Sequence, residues 1–236
     1  LRKALAIAGV AAAVALLGIA GIAWWSLQPR EEPLALPDGL VAMSVPDGQR
    51  LLGEAEARAD YALLSEHFQS QVLRSYCGVA SGVTVLNALG RHLDQSTFFD
   101  ADAAGLKSRF GVTFSGMTLA EFAAFLAAHG ASVELRYADA VSVDEFRDAV
   151  RHNLQMPDDF MLVNYQREVL GQRRVGHISP VAAYDRESDS VLILDTATYN
   201  YPATWVPLSR LHAAMAVTDP ASGRARGFVE VSNVRG

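Results

Sequence analysis

Between Ala4 and Leu27 the chain carries no charged residue. A helix made from this run would have no polar face at any phase, which argues against one half-buried on a globular core. Rising about 1.5 Å per residue, it would reach roughly 36 Å, enough to cross the hydrocarbon of a bilayer. Arg2 and Lys3 precede the run, Arg30, Glu31 and Glu32 follow it, and Trp24 and Trp25 stand at its far end, where amphipathic rings favour the headgroup level. The positive charge on the leading side predicts a cytoplasmic N-terminus and an extracytoplasmic (periplasmic-side) location for everything beyond. A cleavable signal peptide, with Gly21 and Ala23 as small residues ahead of Trp24, is the rival reading. Residues 1–27 are thus expected to form a single-pass membrane anchor.

The stretch that follows is rich in punctuation: Pro29, Pro33, Pro37 and Pro46, with Asp38-Gly39 and Asp47-Gly48. Residues 28–54 read as a linker, and 55–236 as the folded domain. Half of the chain is apolar and 19% is charged, enough apolar surface for a core. The net charge of −6 and the lack of a basic run argue against nucleic acid as a partner. A lone cysteine excludes an internal disulfide and any cysteine-rich metal cluster.

Within the domain, Cys77 to Leu89 has helical periodicity, with Val79, Val83 and Leu86 on one face and Gly90 as its stop. Thr118-Leu-Ala-Glu121 and Ser142-Val-Asp-Glu145 are capping boxes, each followed by apolar residues at helical spacing. Strands are predicted at 133–137, 160–165, 177–184, 190–194 and 227–231. Helices come first and hairpin-connected strands dominate the second half, which gives an α+β fold with an antiparallel sheet.

Cys77 stands at the predicted start of a helix, where free N–H groups and the helix dipole favour thiolate over thiol. A cysteine nucleophile needs a base and a group that orients the base. Of the 6 histidines, His67, His92, His129, His152 and His212 read as surface or capping residues. His177 follows Gly176 and opens an apolar strand, so it should face a cleft from a strand end. Asp195 ends the aliphatic run Val191–Leu194, where a carboxylate has no structural reason to stand. A hairpin folded about Glu187 puts His177 opposite residue 197, on the face that Asp195 shares. A glutamine side chain with the nucleophile's backbone N–H is one way to hold an oxyanion. Gln71 and Gln69 both qualify.

These segments resemble the phytochelatin synthase family. Gln71 with Tyr76-Cys-Gly-Val-Ala-Ser81 and Val85-Leu-Asn-Ala-Leu89 is similar to its nucleophile helix, and Gly176-His-Ile-Ser-Pro180 with Ala183-Tyr184 to its histidine strand. Leu192-Ile-Leu-Asp195, Tyr201-Pro202 and Trp205-Val-Pro-Leu208 are similar to its aspartate strand and exit, and Gly223-Arg-Ala-Arg-Gly-Phe228 to a late segment. The resemblance implies a papain-like fold, its helical part carrying the nucleophile against an antiparallel sheet that carries the histidine and aspartate. It implies a Cys77–His177–Asp195 triad with Gln71 as oxyanion donor. It implies glutathione as substrate: the Cys–Gly amide is cleaved through a γ-Glu-Cys thioester, which passes to water or to a second glutathione. No tightly bound cofactor and no metal-ligand set are implied; heavy metals such as cadmium or zinc enter as glutathione thiolates.

Glutathione has two carboxylates, so its site should offer cations. Arg226 is the first candidate from its match to the late segment; Arg173, Arg174 and Tyr201 are further substrate-binding candidates. Two departures from the family pattern are expected: no cysteine-rich C-terminal domain of the plant kind, and Thr198 and Asn200 where the family usually has Arg and Lys. The second departure weakens acceptor binding and favours hydrolysis over transfer. A different extracytoplasmic peptide as substrate, or a catalytically inactive tethered binding domain, are the alternatives to this reading.

Overall fold

The computed structural model describes residues 2–100, 103 and 105–234, apart from the side chains of residues 2–13 and Ala20. A first helix, α1 (Arg2–Leu27), covers the uncharged run. Among the described residues no helix is long and apolar enough to cross a membrane; the side chains of residues 1–13 and 20, on which that expectation also rests, lie outside them. The anchor is therefore not part of the observed fold class, which is α+β.

The expected linker is instead ordered against the rest of the fold. Residues 28–54 contain a short strand, β1 (Val41–Ala42), and a helix, α2 (Pro46–Glu54). Pro46 occupies the first helical turn, where its missing N–H costs nothing, so what reads as a break is a helix start. The N–H groups of Glu32 and Leu34 donate to the carbonyls of Tyr199 and Asn200, both at 2.9 Å.

After α3 (Tyr61–Glu66), the buried α4 (Cys77–Ala88) forms with the predicted start, and Gly90 takes φ 85° just beyond its end. Residues 78–86 of α4 are all buried, so the helix lies inside the molecule. Gly82 permits this: a Cβ there would stand 2.7 Å from Phe98. Next come α5 (Arg109–Ser115), α6 (Leu119–Ala128) and, after the strand β2 (Ala131–Tyr137), α7 (Val143–Gln155). Both predicted capping boxes form, at the starts of α6 and α7.

The remaining strands are β3 (Asp159–Gln166), β4 (Gly176–Asp185), β5 (Ser190–Ile193), β6 (Thr204–Pro207), the β7–β8 pair (Thr218–Asp219, Arg224–Ala225) and β9 (Gly227–Asn233), with α8 (Leu208–Met215) between β6 and β7. The 7-stranded sheet runs β1-β6-β5-β4-β3-β9-β2 and is antiparallel throughout. It is covered on both faces. Phe160, Leu162, Ile178, Leu192 and Trp205 join α4 and α6 in one core; Met161, Val163, Val181, Val191 and Val206 join α7 and α8 in the other. Double coverage makes the strands near-continuous apolar runs, which is how they are recognised from sequence.

Candidate active site

The sheet brings His177 and Asp195 together through one irregularity. The β4–β5 hairpin closes at Asp185↔Ser190, one residue out of step with a hairpin centred on Glu187. Continued regularly, that register would put Asp195 opposite Pro180 and on the other face from His177. A bulge between Val181 and Ala183 shifts the pairing to Val181↔Ile193, and Ala182 and Ala183 both enter the same core. Beyond the bulge, Asp195 shares the face of His177. Nε2 of His177 lies 3.0 Å from Oδ1 of Asp195, and both residues are buried. A carboxylate only accepts, so Nε2 carries the hydrogen and Nδ1 is left for the sulfur.

Cys77 enters from the other layer as the first residue of α4. The Ser81 hydroxyl donates to the Ile178 carbonyl at 2.9 Å and ties α4 to the start of β4. Burial raises the Cys77 thiol, but the hydrogen bond and charge of His177, with the N–H groups of Ile178 and Gly78, outweigh it, so the thiol sits below its ordinary value. His177 moves up: burial and the Arg167 guanidinium oppose its charging, and Asp195 and Cys77 overcome both. A lowered thiol beside a raised imidazole favours the thiolate–imidazolium pair.

Sequence reasoning missed the group that holds Asp195. Arg167, in the turn after β3, is buried and donates through Nη2 to both carboxylate oxygens at 2.6 Å. Its Nη1 donates to Gln172 at 2.8 Å, and the Tyr201 ring lies 5.0 Å from its guanidinium carbon. The Ala197 N–H adds a bond to Oδ1 at 2.8 Å. Burial works against ionising Asp195, yet Arg167 and His177 hold its carboxyl well below the usual range.

Two cavities flank the imidazole. The first, ≈ 360 Å³, is lined by Cys77, His177, Asn164, Asp219 and Arg226. Arg226 is buried there; Nη1 donates to Asn164 at 2.8 Å and Nη2 to Asp219 at 3.4 Å, while its Nε has no partner among the described residues. Gly176 leaves room for it: a Cβ would fall 2.6 Å from Nη1. Asn164 and Asp219 were not foreseen, although Asn164 breaks an apolar strand just as Asp195 ends one.

The second cavity, ≈ 390 Å³, is lined by Gln71, Tyr201, Arg74, Arg167, Arg173 and Arg174 as well as His177. Gln71 is buried, and its Nε2 donates toward the carbonyls of Leu73 (3.0 Å) and Arg74 (2.8 Å) and the Tyr199 hydroxyl (3.0 Å). Gln69 turns elsewhere, its Oε1 3.4 Å from Gln95. Arg173 pairs with Glu32, and the exposed Arg174 with Glu168 at 3.3 Å. Asn200 lines this cavity, whereas the Thr198 hydroxyl sits 2.8 Å from Ser70 and lines a different one with Tyr61 and Phe68. Of positions 198 and 200, only position 200 lines the arginine cavity. Among the described residues no three His, Cys, Asp or Glu side chains converge as a metal site.

A Phytochelatin synthase family profile matches residues 32–228. Glutathione gamma-glutamylcysteinyltransferase 3 of Lotus japonicus is 34% identical over 80% of this chain and 42% of its own length. The corresponding enzyme 1 of Triticum aestivum is 33% identical over 79% of this chain and 39% of its own. That of Schizosaccharomyces pombe is 31% identical over 72% and 42%. The chain thus spans about two-fifths of the length of these curated relatives. Among solved structures, the Pseudomonas avirulence protein AvrPphB matches 77% of this chain and 99% of its own at 15% identity, with a TM-score of 0.31. The family match runs from residue 32 through the helix that begins at Cys77 and along the sheet as far as Phe228: the chain belongs to the phytochelatin synthase family.

Proposed function

We propose that this protein cleaves the Cys–Gly amide of glutathione through a thioester on Cys77 and passes the γ-Glu-Cys group to water or to a second glutathione. The observation that carries the reading is the juxtaposition of Cys77 with a cavity holding Arg226 and Asp219 side by side. The γ-glutamyl head of glutathione has a free ammonium and a free carboxylate on one carbon. A guanidinium beside a carboxylate is the complement of that pair. With the head held there, the Cys77 thiolate attacks the cysteinyl carbonyl, His177 protonates the departing glycine nitrogen, and Asp195 holds the imidazole in place. Gln71 is the oxyanion donor in this reading, and one of its present bonds must yield to the oxyanion.

The helix-on-sheet arrangement supports a papain-like architecture for residues 55–236. Heavy-metal ions such as cadmium or zinc act in this reading as thiolate complexes of the substrate. With Asn200 uncharged and Arg173 paired to Glu32, γ-glutamylcysteine and glycine are the main expected products. The uncharged run, with Trp24 and Trp25 exposed at its end, supports an N-terminal anchor with the catalytic part on the periplasmic side. The full chain should be incubated with glutathione, with and without cadmium, and read by mass spectrometry. A γ-Glu-Cys adduct on Cys77 with release of glycine is expected; intact glutathione with an unmodified, alkylatable Cys77 would overturn the reading.

A further inference from the structure

Four arginines line the second cavity, and the side chains of three are committed: Arg167 to Asp195, Arg173 to Glu32, Arg174 to Glu168. The fourth, Arg74, is exposed and makes no side-chain hydrogen bond or close ion pair among the described residues, although its charge is felt by Glu32 and Tyr199. It is nonetheless firmly mounted. Its N–H donates to the Leu27 carbonyl at 2.9 Å, and its own carbonyl accepts from Gln71 at 2.8 Å. It stands three residues before Cys77 and lines both cavities.

We infer that Arg74 binds a free carboxylate on the residue that leaves, and that the same contact then receives the carboxylate of an attacking amine. The inference rests on the donor reading above and adds the recognition of the other half of the substrate. The acyl half is held beside Arg226. In acylation the sulfur–carbonyl bond forms, the bond from that carbonyl to the glycine nitrogen breaks, and the proton on His177 goes to the nitrogen. The leaving residue must therefore lie against the imidazole, where Arg74 also lines both adjoining cavities. Leaving glycine presents a nitrogen, one carbon and a carboxylate. The γ-glutamyl head of a second glutathione presents the same three groups in the same order. Deacylation by that amine is the reverse of acylation, so one guanidinium serves both. This supplies a charge for the acceptor that positions 198 and 200 do not.

The test compares glutathione with glutathione esterified on its glycine carboxylate, as kcat/KM for acylation of Cys77 in the full chain. The charge-assisted contact predicts about a tenfold preference of the unmodified protein for the free carboxylate. Arg74→Ala should bring the two substrates to near equality, and Arg74→Lys should restore part of the preference. A general loss of structure would slow both substrates alike and leave the ratio unchanged. If both substrates acylate Cys77 at equal rates in the unmodified protein, or if Arg74→Ala keeps the preference, this inference is wrong while the donor reading stands. If neither substrate acylates Cys77, the donor reading fails and takes this inference with it.

Discussion

At the scale of single residues, the catalytic candidates were legible because each breaks a local rule. Cys77 is the lone cysteine and starts a helix; Asp195 is a carboxylate closing an aliphatic run; His177 opens an apolar strand. Arg167 breaks no rule in its turn, and only a contact 28 residues away along the chain gives it meaning. Its effect can be separated from that of Asp195 by pH. The thiolate forms as pH rises past the lowered value of Cys77, and the imidazolium persists until pH passes the raised value of His177. Asp195→Asn removes a charge that raises His177, so the alkaline limb of kcat/KM moves to lower pH. The corresponding change in a serine triad costs about 10⁴ in kcat; with a thiolate already formed, a loss of about 10² is expected here. Arg167→Met removes a charge that opposes the imidazolium, so the same limb moves to higher pH. It also strips a buried carboxylate of its partner, at about 3–5 kcal/mol of stability. Rates of iodoacetamide alkylation and turnover across pH check both; shifts of the two variants in one direction would contradict this electrostatic account.

At the scale of elements, the signals that survive from sequence are those whose chemistry is local. The capping boxes at Thr118 and Ser142 form because each needs only four consecutive residues. The five predicted strands appear because a sheet covered on both faces writes itself as apolar runs. The bulge near Ala182 left no such mark, since two alanines in a strand look like any buried pair, yet it decides which face Asp195 takes. Asp60, just before α3, is another feature that only the packed structure reveals. It is buried, Oδ1 accepts from the Asp158 N–H at 2.9 Å, and Oδ2 has no partner among the described residues. Burial, with the charges of Asp158 and Asp159, pushes it up to about 7. An acid raised on folding contributes its stability below its unfolded value of ~3.9 and loses it as pH rises through about 7. Asp60→Asn mimics the protonated form. It should raise the melting temperature at ~pH 8 by about 2–4 °C, the equivalent of roughly 1 kcal/mol, and leave it nearly unchanged at ~pH 4. Equal changes at both pH values would show that titration of Asp60 is not the cause.

At the scale of the whole molecule, the N-terminal region is joined to the chemistry rather than hung beside it. Leu27, the last residue of α1, lines the cavity of Cys77 and accepts from the Arg74 N–H. The chain then runs along residues 199–201, and Asn200 donates to the Glu32 carbonyl at 3.0 Å. Prolines and charges made this strap read as a linker, because nothing in its own sequence says that its backbone will find partners more than 160 residues away. Its Glu32 carboxylate occupies one of the cations of the leaving-side cavity, Arg173. Both groups are exposed, so the pair contributes little to folding. In the proposed reaction its consequence lies in charge: with Glu32 present, the cavity would offer an incoming glutathione one cation fewer. Glu32→Ala frees Arg173 and should strengthen acceptor binding without touching the acyl half beside Arg226. A small increase in the ratio of (γ-Glu-Cys)₂-Gly to γ-glutamylcysteine is expected, since the ion pair that is removed is exposed. The ratio measures partition of a common acyl-enzyme, so changes in glutathione binding as donor cancel from it. A Glu32→Ala protein that hydrolyses as before and transfers no more than the unmodified chain would mean that Arg173 does not reach the acceptor, and that the strap is a structural wall alone.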